Sequence, residues 1–180
     1  EQMFALMVSS YEYVRHADFL RDLQNKQYIG MLHSEDQRVA GFTTFAIRQI
    51  SSDRTFDVLF SGDTIIGSSF RGTQELIRGV GRSFGSLLVQ SRAQNRDLYW
   101  LLTTKGHRTY LYLPLFFRTY YPSPDDAHAM DYRDRLHQIC SEFFPDSWRL
   151  GPGLLVHDSS AARLNPSEAE TTLQRNKNPH

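Results

Sequence analysis

The sequence predicts an α/β (α+β) protein built on a mixed central sheet with flanking helices. Three observations predict it. Two apolar stretches, 27–33 and 38–47, are separated only by the polar Ser34-Glu35-Asp36-Gln37, and such a loop joins antiparallel strands most easily. The stretch 56–66 is apolar on both faces around Val58, Leu59 and Phe60, as a central strand is. A helical period then runs through Leu76, Ile77, Val80, Phe84, Leu87 and Leu88, and the apolar Leu98-Tyr99-Trp100-Leu101-Leu102 follows it. A helical crossover between two strands makes them parallel neighbours.

Composition fits one globular domain with a core. The chain has 180 residues, 40% hydrophobic and 22% charged, enough for one full domain and too few for two. Twenty basic residues balance twenty acidic ones. No charge run dominates either half, so no nucleic-acid or membrane-surface footprint is expected. No apolar run is long enough to span a bilayer. The start, Glu1-Gln2-Met3-Phe4, has no signal-peptide pattern and no initiator Met, which is read as a trimmed chain or a piece of a longer one. The one cysteine, Cys140, cannot form an internal disulfide and fits a reducing, cytoplasmic setting. Leu136, Ile139, Phe143 and Phe144 share its helix face, so it reads as a buried thiol.

The remaining elements follow in chain order. Residues 3–14 read as a helix with loose ends. Asp18 is expected to cap a short helix over 19–26. In the strand 38–47, Val39, Gly41, Thr43, Phe45 and Ile47 share a face by period two. Ser51-Ser52-Asp53 is a turn. Gly79, Gly81 and Gly85 interrupt the helix after the central strand. Each costs roughly 1 kcal/mol relative to Ala, and they are expected either to allow close approach to the sheet or a ligand, or simply to weaken the helix. Pro114 must kink or restart any helix in 110–121. Ser123-Pro124 has the form of a helix start, and Pro145 ends that helix. Leu154-Leu155-Val156 offers one short strand. From Ser159 the chain is polar and weakly patterned, as a linker or tail is.

Loop Ser68-Ser69-Phe70-Arg71-Gly72-Thr73, between the central strand and its helix, carries the most specific chemistry. The first amides of a helix have no internal acceptor, and the helix dipole favours an anion there. A glycine beside the turn lets a phosphate approach. A carboxylate at Glu75 favours the helix but repels a phosphate.

The order helix, hairpin, long strand, loop, helix, parallel strand, together with Asp63-Thr64-Ile65-Ile66-Gly67-Ser68-Ser69-Phe70-Arg71-Gly72-Thr73-Gln74-Glu75-Leu76, resembles the core of the GNAT acyltransferase superfamily over about residues 12–121. In that family an Arg/Gln-x-x-Gly-x-Gly/Ala turn holds the pyrophosphate of coenzyme A. Arg71 and Gly72 fit that turn; Thr73, Gln74 and Glu75 depart from it. The run Lys105-Gly106-His107-Arg108-Thr109-Tyr110-Leu111-Tyr112-Leu113-Pro114 is similar to one in a group of bacterial GNAT-like proteins, which points to a divergent member.

The resemblance implies a donor, acyl-CoA or acyl-phosphopantetheine on a carrier protein, held by Ile65, Ile66, Arg71, Gly72, Thr73, Gln74, Glu75 and Leu76. It implies direct transfer of the acyl group to an amine, with no metal. A tyrosine after the fifth strand, Tyr110 or Tyr112, would protonate the leaving thiolate. Asp63 would serve as base, with Asp57, His33 and His107 as alternatives. Each of these side chains also has a plain reading as packing, turn cap or surface group. The alternative functions are a non-catalytic module that binds an acyl chain or carrier protein, and a scaffold packed on further parts of a longer chain. Residues 1–150 are expected to form the acyl-donor-binding domain and 151–180 a turn-rich segment with a polar tail or linker. The superfamily sheet closes with two more strands. After Pro122 the sequence offers too little for them, so they are expected to be missing, replaced, or supplied from elsewhere.

Overall fold

A computed structural model describes residues 1–103, 111–123, 129–149, 154–155 and 162–166. The chain divides into two compact units, residues 1–103 with 162–168, and residues 104–161 with 169–180.

The first unit begins with helix α1 (Gln2–Ser10), strand β1 (Tyr11–Glu12) and helix α2 (His16–Gln24). Asp18 is not the cap of α2: Arg15 holds that position, and Asp18 lies in the first turn, bonded to Arg15 and Arg21. A carboxylate there still complements the helix dipole. Strands β2 (Tyr28–His33), β3 (Val39–Ile50) and β4 (Phe56–Ile66) follow. Helix α3 (Glu75–Ala93) then crosses to strand β5 (Leu98–Leu102). The sheet order is β2-β3-β4-β5. β2–β3 and β3–β4 are antiparallel and β4–β5 is parallel, so the mixed sheet expected from the sequence is present. Gln37 closes the β2–β3 turn with φ 62°, and Asn95 ends α3 with φ 54°, the left-handed geometry common after a helix.

Strand alternation assigns the two sheet faces. On one, Phe42 and Ile65 pack with Met7 of α1 and Phe19 of α2 into a buried cluster. Full burial of an aromatic such as Phe42 stabilises the fold by about 1.5–3 kcal/mol. On the other face lie Thr43 and Phe45, near Gly30 and the Leu76 side chain of α3. Both faces of β3 and β4 are therefore covered, which is why 40–46 and 56–61 are buried without a break.

One irregularity matters for function. Between Thr43↔Thr64 and Phe45↔Ser61 the register slips, so Gly62 and Asp63 of β4 stand opposite Thr44 alone. A bulge of this kind bends its strand and raises its twist. Above Gly62 lies Lys26, its side chain only 4% exposed, 2.5 Å from the Asp22 carboxylate and over the Phe60 ring. A Cβ at Gly62 would come within 2.6 Å of both Lys26 Cε and Thr44 Oγ1. A side chain at this position therefore requires Lys26 and Thr44 to shift.

Leu76 of α3 is buried, as its periodicity predicts, but Ile77 is exposed. The glycines of α3 do not serve close packing against the sheet. A Cβ at Gly79, Gly81 or Gly85 would meet nothing within 4 Å.

Residues 162–166 also belong to this unit: strand β8 (Arg163–Leu164) pairs antiparallel with β1, and Asn165 Nδ2 donates to the Ser9 carbonyl. The polar sequence there gives no sign of this pairing.

The second unit contains helix α4 (Tyr112–Phe116), helix α5 (Ala129–Phe143), and the strands β6 (Trp148–Arg149) and β7 (Leu154–Leu155), which pair antiparallel. Pro114 sits in the first turn of α4, where its missing N–H costs no helical bond. α5 stops two residues before Pro145. The expected start at Pro124 lies outside the described residues. In α5, Ile139 and Cys140 are buried, and Trp148 Nε1 donates to His137 Nδ1 at 2.8 Å. Among the described residues the four-stranded sheet ends at β5, and the two-residue β6–β7 ladder forms a separate small sheet.

Candidate functional site

The parallel ladder between β4 and β5 runs from Asp57↔Leu98 to Ser61↔Leu102 and stops at the bulge. β4 continues to Ile66. Its last three residues, Thr64 to Ile66, pair with β3 and, among the described residues, with nothing on the β5 side. β5 itself ends at Leu102, so among the described residues β4 runs past its partner and leaves a gap beside its last residues.

The bulge also changes which amides face the gap. Before it, the Asp57 N–H points to the β5 side, donating to the Asp97 carbonyl. After it, the Gly67 N–H donates to Ala40 of the segment entering β3. Antiparallel pairs alternate between bonded and non-bonded. The Ile65 N–H is thus directed to β3, and those of Thr64 and Ile66 are directed to the gap. Thr64 was not among the residues expected from the sequence, and its signal is invisible there because it depends on the slip. Its hydroxyl lies 2.8 Å from the Thr43 hydroxyl. Asp63 sits in the bulge itself, half-buried.

Beyond β4, a short 3-10 turn (Ser68–Phe70) leads to Arg71 and Gly72. Gly72 has φ +97° and open space around its Cβ direction, so the turn needs glycine for its backbone and not for room. Gln74 caps α3 without a side-chain bond to the helix. The Glu75 carboxylate is held 2.7 Å from Arg78 Nη1, and Arg78 Nη2 also reaches Gln74 Oε1 at 3.3 Å. The charge expected to repel a phosphate at this helix start is thereby paired with a guanidinium.

The other candidates fall in different places. Asp57 is buried under the start of α3's last turn. Burial alone would raise its carboxyl, but the Ser91 hydroxyl, the Arg96 guanidinium and the Gln49 amide together hold it below the ordinary carboxylate value. The Ser91 Oγ is fully buried and reaches no partner at hydrogen-bond geometry, so it acts on Asp57 as a nearby dipole. A lowered carboxyl is a poor base. His33 ends β2 at the sheet edge. Tyr112 opens α4, half-buried, its ring 5.8 Å from that of Phe116. Tyr110 and His107 lie outside the described residues. Burial pushes the Cys140 thiol up to about 11, which keeps it protonated and unreactive near neutrality.

A second feature was not anticipated. A cavity of about 560 Å³ lies between α3 and the β2–β3 part of the sheet. Of the residues expected to hold a donor, only Glu75 and Leu76 line it.

No family profile and no curated protein matches the chain. Among solved structures, it is similar to the aminoglycoside 6'-N-acetyltransferase AAC(6')-IG of Acinetobacter haemolyticus, at 12% identity and TM-score 0.47, over 68% of this chain and 86% of that one. It is similar to glucosamine-6-phosphate N-acetyltransferase of Arabidopsis thaliana, at 14% identity and TM-score 0.38, over 61% and 71%. It is also similar to a chain of a KacTA–DNA complex, at 18% identity and TM-score 0.42, over 61% and 76%.

Proposed function

We propose that the chain moves an acyl group from a thioester donor, coenzyme A or a carrier-bound phosphopantetheine, to an amine. The observation that supports this is that β4 runs on past the end of its β5 ladder at the Gly62–Asp63 bulge. It leaves a strand edge with inward amides beside a glycine turn and a helix start. An extended thioester arm has the shape and the acceptor groups to line such an edge. The N–H groups of Thr64 and Ile66 would bond the arm and polarise the thioester carbonyl as negative charge develops. The amides of 72–76 would hold the donor's phosphates, with Arg71 and Arg78 supplying positive charge.

The amine attacks the carbonyl carbon directly, the C–S bond breaks, and an amide and a free thiol result. Asp63 takes the amine proton, and Tyr110 or Tyr112 returns one to the thiolate. The protonated Cys140 gives no reason to invoke an acyl-enzyme. The single cysteine fits a cytoplasmic setting.

The test offers the purified protein a panel of acyl-CoA and acyl-carrier thioesters with varied amines. Donor affinity and thiol release are both measured. Saturable binding and amine-dependent release support the reading. Binding without release across the panel leaves a non-catalytic module, and absence of binding removes the donor site.

A further inference from the structure

We infer, on the acyl-transfer reading above, that Lys26 serves as a positioning residue of that site: its buried ammonium holds a fixed positive charge at the mouth of the gap beside β4, where the thioester oxygen gathers negative charge. The parallel ladder ends at Ser61↔Leu102, and Gly62 is the first β4 residue beyond it. Lys26 covers that residue. Its Cε lies 2.6 Å and its Nζ 3.3 Å from where a Cβ at Gly62 would stand. From Gly62 the strand runs two residues, about 7 Å, to Thr64, whose N–H faces the gap.

Asp22 accepts from Lys26 Nζ at 2.5 Å, yet the pair is not neutral as felt from the strand. The Asp22 side chain is 45% exposed and that of Lys26 only 4%. Water screens the carboxylate, whereas the ammonium sits against the Phe60 ring, 5.4 Å from its centroid, where charge acts over a longer reach. An ammonium also has three donors, and among the described residues Asp22 Oδ1 is its one hydrogen-bond acceptor. Thr44 Oγ1 lies 2.6 Å from the same Gly62 Cβ point, buried and with no hydrogen-bond partner. The compensation is therefore one-sided: negative charge faces water and positive charge faces the bulge.

Stability does not call for a lysine here. An apolar side chain of similar volume fills such a place at least as well, because burying an ammonium forfeits its hydration. What the apolar residue lacks is the field. When an amine adds to the thioester, the carbonyl oxygen becomes an oxyanion beside the amides of Thr64 and Ile66. A preorganised charge near that point lowers the barrier without having to reorient. Lys26 does so through space and through the bulge it packs on, without touching substrate.

The experiment measures, by calorimetric titration of the purified protein, the affinities of S-ethyl-coenzyme A and S-carboxymethyl-coenzyme A. The second carries a carboxylate beside the position of the thioester carbonyl. Lys26→Met keeps the side chain's length and removes its charge; Asp22 is left facing water, so the melting temperature should hold. S-carboxymethyl-coenzyme A is expected to bind Lys26→Met about tenfold more weakly than wild type, the effect of one charge over several ångströms after screening by water and Asp22. S-ethyl-coenzyme A should bind both alike, and Lys26→Arg should retain most of the carboxymethyl affinity. In thiol release, kcat should fall by a similar factor with KM for acyl-coenzyme A unchanged. Lys26→Gln supplies the same comparison if the methionine variant does not fold. Carboxymethyl affinity that is unchanged in the neutral variants, or a parallel loss of both derivatives, overturns the inference. Failure of the wild type to bind either derivative is a different result: it removes the donor reading, and the role of Lys26 with it.

Discussion

Arg96 Nε lies 3.0 Å from each carboxylate oxygen of Asp57, joining the turn between α3 and β5 to the start of β4. Asp57 is nearly inaccessible, and Arg96 keeps a fifth of its side chain exposed. Arg96 also reaches Gln94. The pair fixes the crossover that brings β5 alongside β4.

The first prediction concerns this pair. Asp57→Asn should destabilise by an amount at the lower end of about 3–5 kcal/mol, because a largely buried guanidinium loses its partner. The Asp57 carboxyl is lowered in the fold, so its contribution is present above the unfolded carboxylate value of about 3.9. It is lost as pH falls through the lower folded value. Urea unfolding followed across acidic pH should show a falling limb for the wild type that Asp57→Asn flattens.

Gly62 should tolerate no side chain. Its Cβ would meet Lys26 Cε and Thr44 Oγ1, each at 2.6 Å. Lys26 is bonded to Asp22 and lies over the Phe60 ring, so its retreat would disturb both contacts. Gly62→Ala is expected to cost about 1–3 kcal/mol by chemical denaturation, and to weaken donor binding more than Gly81→Ala, which meets nothing. Equal stability of the two variants would show that Lys26 can move aside.

At Gly72 the cost is conformational. With φ +97°, Gly72→Ala and Gly72→Val must both strain the turn or rearrange it, by about 1–2 kcal/mol for a left-handed non-glycine residue. A valine there therefore cannot be expected to leave the loop unchanged. Donor affinity should fall while the sheet, monitored by far-ultraviolet circular dichroism, persists. Unchanged affinity for coenzyme A would place its phosphates elsewhere.

For the chemistry, Tyr110→Phe and Tyr112→Phe separate the two candidate acids. The one that protonates the thiolate should lose about 10²- to 10⁴-fold in turnover, with donor affinity retained. If neither hydroxyl matters, the thiolate leaves without a tyrosine acid.

Cys140 should behave as core. Buried, with its thiol pushed up to about 11, it should resist maleimide labelling near neutral pH until the protein is denatured. Cys140→Ala should leave thiol release unchanged. Rapid labelling of the native protein would contradict the buried assignment.

The amino-acid sequence by itself determined the mixed sheet, because its signals are local. Alternation in the hairpin, a two-sided apolar run at Val58–Phe60 and a helical period from Leu76 each follow from nearest neighbours along the chain. The same local logic located the glycine turn, since Gly72 stands just before the strongest helix. Only the tertiary structure decided what depends on pairing. Two residues of β4 face one of β3 at Thr44, and this exchanges the amides that point to β5: Thr64 enters the candidate site and Ile65 turns away. No property of Gly62 or Asp63 alone announces that slip. The glycines of α3 show the same limit. Their sequence allows either close approach to the sheet or a ligand, or simply a weakened helix, and only the fold shows that a Cβ at any of the three meets nothing within 4 Å. Burial likewise reverses local expectation at Lys26, a charged side chain held inside by Asp22, and at Ile77, an apolar one left outside, because a residue's surroundings are set by elements distant in the chain.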